Sequence, residues 1–112
     1  MIDDGKIIDG EITVETLTRN VVVGNAHGLH ARPASLIMKL ASRFQSKVEL
    51  VKDHERVDGK SILEILTLGA APGTNLIIEV TGPDAESALE ALAQLFASNF
   101  AELNEEKPPD SR

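Results

Sequence analysis

Gly28-Leu29-His30-Ala31-Arg32-Pro33-Ala34-Ser35 is the stretch on which the fold turns. It follows a β-branched run, Leu17 to Val23, and opens an apolar pattern of helical spacing, so a strand hands over to a helix where a histidine and an arginine stand close together. Pro33 has a fixed φ and no amide hydrogen, which suits the first turn of a helix, where an N–H would have no partner within the helix. The helix is therefore predicted to begin near Ala31. Its first amides point outward unpaired and the peptide dipoles leave partial positive charge there, which makes an anion site just in front of the helix. His30 falls in that spot. The same positive end favours the neutral, nucleophilic form of a nearby imidazole, and Arg32 offers a guanidinium fork matched to phosphate oxygens. A nucleophilic imidazole, an arginine and a helix N-terminus are the parts needed to accept, hold and release a phosphoryl group.

Outward from this junction, the chain alternates between the two periodicities. In the strand from Leu17 to Val23, Val21 and Val23 face one way and Val22 the other, and Gly24-Asn25 ends it. Leu36, Ile37, Leu40, Ala41 and Phe44 recur at helical spacing, which predicts a helix from Ala31 to Arg43 with an apolar stripe against a sheet. Lys47 to Lys52 alternates with Val48 and Leu50 on the buried side, Asp53-His54 turns, and a short strand follows from Glu55 to Asp58. Ser61 with Glu64 three residues on reads as a capping box, each side chain bonding the other's amide, at the head of a short helix that stops at Gly69. Pro72-Gly73 turns into a strand from Asn75 to Thr81, with Leu76, Ile78 and Val80 on its covered side. Asp84 is the predicted N-cap of the last helix, with Glu86 in its first turn. The buried stripe of that helix is Ala85, Ala88, Leu89, Leu92, Leu95 and Phe96. The order β-α-β-β-short α-β-α predicts an α+β fold, an open-faced β-sandwich with the helices on one face of a four-stranded, largely antiparallel sheet.

Composition narrows the function. One domain with a modest core suits 112 residues of which 42% are hydrophobic, and with 3% aromatic that core must be aliphatic, around Phe44 and Phe96 with Phe100 as a further candidate. There is no cysteine, which excludes disulfides and cysteine-ligated metals. A net charge of −7 with only 11 Lys and Arg argues against nucleic-acid binding. The first residues, Met1 to Lys6, lack the basic start and apolar run of a signal peptide, and no apolar stretch is long enough to span a membrane, so a cytoplasmic protein without membrane insertion is expected. His27 lies three residues before His30, but no further ligands accompany the two, so no metal site is expected and His27 reads as a solvated loop residue. His54 reads as a surface turn residue. Residues 1–16 are acidic and read as an N-terminal extension, and residues 104–112 as a disordered tail.

The run from Gly28 to Ala34, Gly-Leu-His-Ala-Arg-Pro-Ala, resembles the phosphorylated-histidine motif of the HPr family, the histidine-containing phosphocarriers of the bacterial phosphoenolpyruvate-dependent phosphotransferase system. The likeness in element order extends over Leu17 to Asn99, within a domain drawn at 17–103. It implies a carrier rather than an enzyme, without cofactor and monomeric. Phosphorylated enzyme I would donate to Nδ1 of His30, with the amides of Ala31 and Arg32 and the Arg32 side chain holding the group, and His30 would pass it to a histidine of an enzyme IIA domain. Lys60-Ser61-Ile62-Leu63, leading to Leu66, Leu68 and Gly69, resembles the regulatory serine segment of the same family, which implies HPr kinase/phosphorylase as a further partner acting on Ser61. Ile62, Leu63 and Leu66 would then form part of the partner-docking face beside His30. An alternative implied by the same residues is a phospho-switched regulatory protein of carbon or nitrogen control, binding a kinase or transcription regulator through this face.

Overall fold

The computed structural model describes residues 15–101. The extension expected at 1–16, except for its last two residues, and the tail expected at 104–112 lie outside them. The elements follow in the predicted order: β1 (Thr16–Val22), α1 (Ala31–Ala41), β2 (Lys47–Lys52), β3 (Glu55–Asp58), α2 (Ile62–Thr67), β4 (Asn75–Thr81) and α3 (Ala85–Ala97). The four strands form one sheet in the order β1-β4-β2-β3, and every neighbouring pair is antiparallel.

Alternation along the strands sorts the two faces. The register sets Leu17 beside Val80 and Val80 beside Val48, then Ile78 beside Leu50 and Leu50 beside Val57, then Val21 beside Leu76. These rows form the floor of the core, with Val48, Leu50, Ile78 and Val80 fully buried. The helices cover them. α3 lies across β1 and β4, and α1 packs beside both α3 and α2. Ile37, Ile65, Leu92 and Phe96 fill the space between helices and sheet, each removed from water almost completely, which is worth roughly 1.5–3 kcal/mol per side chain. Phe44 is only half-buried, so Phe96 and Phe100 are the aromatic part of this core.

On the open face Glu49 and Glu79 stand directly opposite each other, a like-charge pair that would repel. Arg56 sits between them and donates to both carboxylates. Those two hydrogen bonds, Glu79's first, raise the Arg56 pKa above its ordinary value.

Several helix ends depart from the local reading. α1 stops at Ala41 rather than Arg43, because Arg43 and Phe44 donate to Leu40 and Ala41 in a tightened final turn. Asp84 heads α3, but its side chain makes no capping bond. Its carboxylate instead accepts from the amides of Gln45 and Ser46, both at 2.9 Å, and from the Ser46 hydroxyl at 2.5 Å, so it ties the α1–β2 turn to the β4–α3 turn. The Ser46 hydroxyl and then the Gln45 amide hold the Asp84 pKa below its ordinary 3.8. The predicted capping box at Ser61 forms only by half. Ser61 Oγ accepts from the Glu64 amide at 3.2 Å, whereas the Glu64 carboxylate accepts from Asp58 N, and Ser61 N donates to the Asp58 carbonyl.

Two lysines reach across elements to carbonyls at helix ends. Lys52 of β2 donates to Leu68 just after α2, and Lys60 to Phe44 just after α1. The end of α3 is closed differently. Asn99 and Phe100 both adopt positive φ, 55° and 61°, Phe100 N donates back to Leu95, and the Phe100 ring turns in edge-on against Phe96 with centroids 5.0 Å apart. Asn99 is of a type that tolerates the left-handed region, and burial of the Phe100 ring offsets the cost of placing a phenylalanine there.

Candidate functional site

The loop from Val23 to His30 is held from three sides. Val23 continues the β1–β4 ladder past the end of the strand, donating to Thr74 at 2.9 Å and accepting from Gly73 at 2.7 Å. Within the loop, Gly28 N donates to the Asn25 carbonyl, the Asn25 side-chain amide donates back to the Gly28 carbonyl at 2.8 Å, and His30 N donates to the same carbonyl at 3.0 Å. Leu29, itself buried, donates to the Ala70 carbonyl at 2.9 Å, so the segment after α2 is the floor on which the loop rests. That approach explains Gly28. Its φ is +71°, and a Cβ there would stand 2.4 Å from the Ala70 carbonyl oxygen.

The loop delivers His30 to the N-cap of α1 with extended backbone, φ −87° and ψ −166°, and its side chain makes no capping bond. The first amides of the helix can then be counted. His30 N is spent on Gly28, Pro33 has none, and Ala34 N is the first to bond within the helix, to the His30 carbonyl at 3.0 Å. Ala31 N and Arg32 N are left facing outward. Pro33 is thus the third residue of the helix rather than the first, and its buried ring closes the row of donors after two. No acidic residue stands in this first turn to compete for them. Arg32 is exposed and makes no ion pair among the described residues. A half-buried imidazole and two free amides stand together at this helix end, and the exposed Arg32 belongs to the same first turn, an arrangement that suits a dianionic group.

His27 is exposed, as expected of a loop residue, but it is not isolated. The Gly28 reversal brings its ring edge-on to His30, with centroids 5.8 Å apart and planes at 82°. The sequence held the two histidines three apart without showing that the turn between them folds one against the other. Among the described residues no group of three or more His, Asp or Glu could hold a metal ion, and no helix is long and apolar enough to cross a membrane.

Ser61 is half-exposed at the N-cap of α2. Of the three apolar residues assigned to docking, Leu63 is 76% exposed, whereas Ile62 and Leu66 are half-buried and Leu66 packs against the core. The residue of this helix that enters the core fully is Ile65, which the sequence reading did not single out. α2 packs on α1, and the chain leaving α2 runs directly beneath the His30 loop through Leu29 and Ala70, so the two segments form adjoining parts of one end of the molecule.

An open-faced sandwich whose first helix is headed by an uncapped histidine falls in the class of histidine phosphocarriers, and the comparisons carry that class to a family. The family model described as "PTS HPr component phosphorylation site" matches residues 17–98. The phosphocarrier protein HPr of Treponema pallidum is 45% identical over 86 residues, covering 77% of this chain and 98% of that one. That of Cupriavidus necator is 37% identical over 86 residues, covering 77% and 97%. Among solved structures, an HPr from Thermoanaerobacter tengcongensis superposes with a TM-score of 0.74 at 38% identity, covering 76% of this chain and 96% of that chain. An HPr from Bacillus anthracis gives 0.69 at 40% identity, covering 72% and 96%. The chain belongs to the HPr family: it is a phosphocarrier of the phosphotransferase system, a carrier rather than a catalytic enzyme, with the expected fold. Family membership places its partners among the enzyme I and enzyme IIA components of that system.

Proposed function

We propose that His30 is the phosphoryl acceptor, taking the group from phosphorylated enzyme I and giving it to a histidine of an enzyme IIA domain. The observation that carries this reading is the uncommitted His30 side chain at the head of a helix whose free amides, Ala31 N and Arg32 N, end at Pro33. In the forward step the lone pair of His30 Nδ1 forms a bond to phosphorus as the donor's P–N bond breaks and its electron pair returns to the donor ring. The two imidazoles exchange roles, so no net proton is consumed. The onward step is the same reaction with the enzyme IIA histidine as acceptor. Between the two, the amides and the Arg32 guanidinium hold the phosphoryl oxygens, and alignment with charge stabilisation supplies the catalysis without a metal or cofactor.

The exposed Leu63, with Ile62 and Leu66 beside it, serves as the apolar contact for both partners in turn, since a carrier must present one face to successive proteins in the cytoplasm. Ser61 is a second phosphorylation site for HPr kinase/phosphorylase on that same face. Its half-exposed hydroxyl accepts from Glu64 N, a bond that a phosphate oxygen can take over, so the modification adds charge beside Leu63 without melting α2.

Intact mass after incubation with phosphoenolpyruvate and enzyme I tests the first assignment. One phosphoryl group is expected on the unaltered chain and none on His30→Ala. Gain that survives His30→Ala overturns it. Incubation with ATP and the kinase tests the second, where the expected gain disappears in Ser61→Ala and persists in His30→Ala.

A further inference from the structure

His27 is in ring contact with His30, and the transfer just described gives it no task. Its position is not left to chance. The Asn25–Gly28 hydrogen bonds and the Leu29–Ala70 bond fix the backbone on either side of it, and the positive φ of Gly28 turns residue 27 back toward residue 30. The rings meet nearly at right angles with centroids 5.8 Å apart. Among the described residues His27 makes no side-chain hydrogen bond or ion pair that would hold it elsewhere.

A phosphoryl group carried on an imidazole projects its oxygens beyond the rim of that ring, toward whatever borders it. At this centroid separation a neighbouring imidazole N–H lies within one hydrogen-bond length, about 2.9 Å, of such an oxygen after a small rotation of an exposed side chain. Imidazole carries at least one N–H whether neutral or protonated, so the donor is always present. The amides of Ala31 and Arg32 approach the group from the helix side, and His27 borders it from the loop side.

We propose that His27 is a further phosphoryl-holding residue: a ring N–H of His27 donates to an oxygen of the phosphoryl group while His30 carries it. This rests on the assignment of His30 as acceptor. His27 forms no covalent bond in either transfer; it stabilises the loaded state and so shifts the equilibrium with enzyme I toward the phosphorylated carrier.

The test uses the full chain with phosphoenolpyruvate, pyruvate and enzyme I at a fixed ratio, reading the phosphorylated fraction by intact mass. His27→Phe keeps a ring against His30 and removes the donor; His27→Gln restores an N–H. The ratio of phosphorylated to free carrier is expected to fall about five- to ten-fold in His27→Phe, the effect of one charge-assisted hydrogen bond at an exposed site, and to stay within about three-fold of the unaltered chain in His27→Gln. The ring nitrogen resonances of ¹⁵N-labelled His27 should also move on phosphorylation of the unaltered chain. An unchanged ratio in His27→Phe overturns the proposal, as does an equal fall in both variants or a phosphoryl group found on His27 itself. An unaltered chain that takes no phosphoryl group overturns the His30 assignment and this proposal together, and that outcome is visible before either variant is made.

Discussion

The N-termini of α1 and α2 begin alike and end up opposite. Each is headed by a side chain that can carry phosphate, on extended backbone, His30 in one and Ser61 in the other. At α2 the helix closes on itself: Ser61 Oγ takes up the Glu64 amide, and the Glu64 carboxylate reaches back to Asp58 N. At α1 nothing of the kind happens. His30 caps nothing, Pro33 removes the next donor, and the remaining two amides face outward. A helix end whose own residues satisfy it gains stability, and one left unsatisfied keeps its binding capacity for something that arrives from outside.

The largest effect on this contrast should come from Gly28→Ala, which leaves the His30 side chain itself unaltered. With φ at +71° and the Ala70 carbonyl in the way, the added methyl must displace the loop. A cost of about 2–4 kcal/mol in denaturant unfolding is expected, with loss of phosphoryl acceptance. Next, Arg32→Gln removes the only cation of the α1 first turn and should slow transfer from enzyme I by about ten- to a hundred-fold in a rapid-quench assay, leaving thermal stability unchanged. Smaller still, Ser61→Ala should cost about 0.5–2 kcal/mol through its lost cap, against within about 0.5 kcal/mol for His30→Ala. Equal losses in those two variants would break the comparison, because it holds that only one of the two side chains is spent on its helix.

A third helix end supplies the smallest effect and a pH dependence. Asp84 heads α3 but spends its carboxylate on Ser46 and Gln45, which lower its pKa from 3.8. A carboxyl lowered on folding contributes stability that is present above its ordinary value and is lost as pH falls through the lowered one. Acid unfolding followed by circular dichroism should therefore show the difference between the unaltered chain and Asp84→Asn constant from neutrality down to pH 3.8 and shrinking below it.

Strands β2, β3 and β4 were legible to the residue, because alternation of buried and exposed side chains leaves one register that fits. So was the start of α1, with His30 at its head and Arg32 in its first turn, where proline geometry and helix polarity act within a few residues. What escaped was set by distant contacts. Asp84 reads locally as a helix cap, and only the fold shows Ser46 within its reach. α2 is too short for a period to tell Ile65, which is buried, from Ile62 and Leu66, which are half-buried. No glycine announces the reversal that buries Phe100, and the approach of His27 to His30 depends on a turn whose geometry Asn25 and Ala70 complete.

The strand pairing has a consequence for how the protein is made. Among the described residues β1 leaves the ribosome before the other strands, yet its strand partner there is β4, and the loop that follows it rests on Ala70. A nascent chain therefore displays His30 long before anything fixes that residue at the head of α1. Closing a loop over this span carries an entropic cost that the β1–β4 pairing must repay. The end of the molecule around His30 is completed only with β4, the last strand among the described residues, so a chain that stops before it lacks the Gly73 and Thr74 contacts that hold the His30 loop.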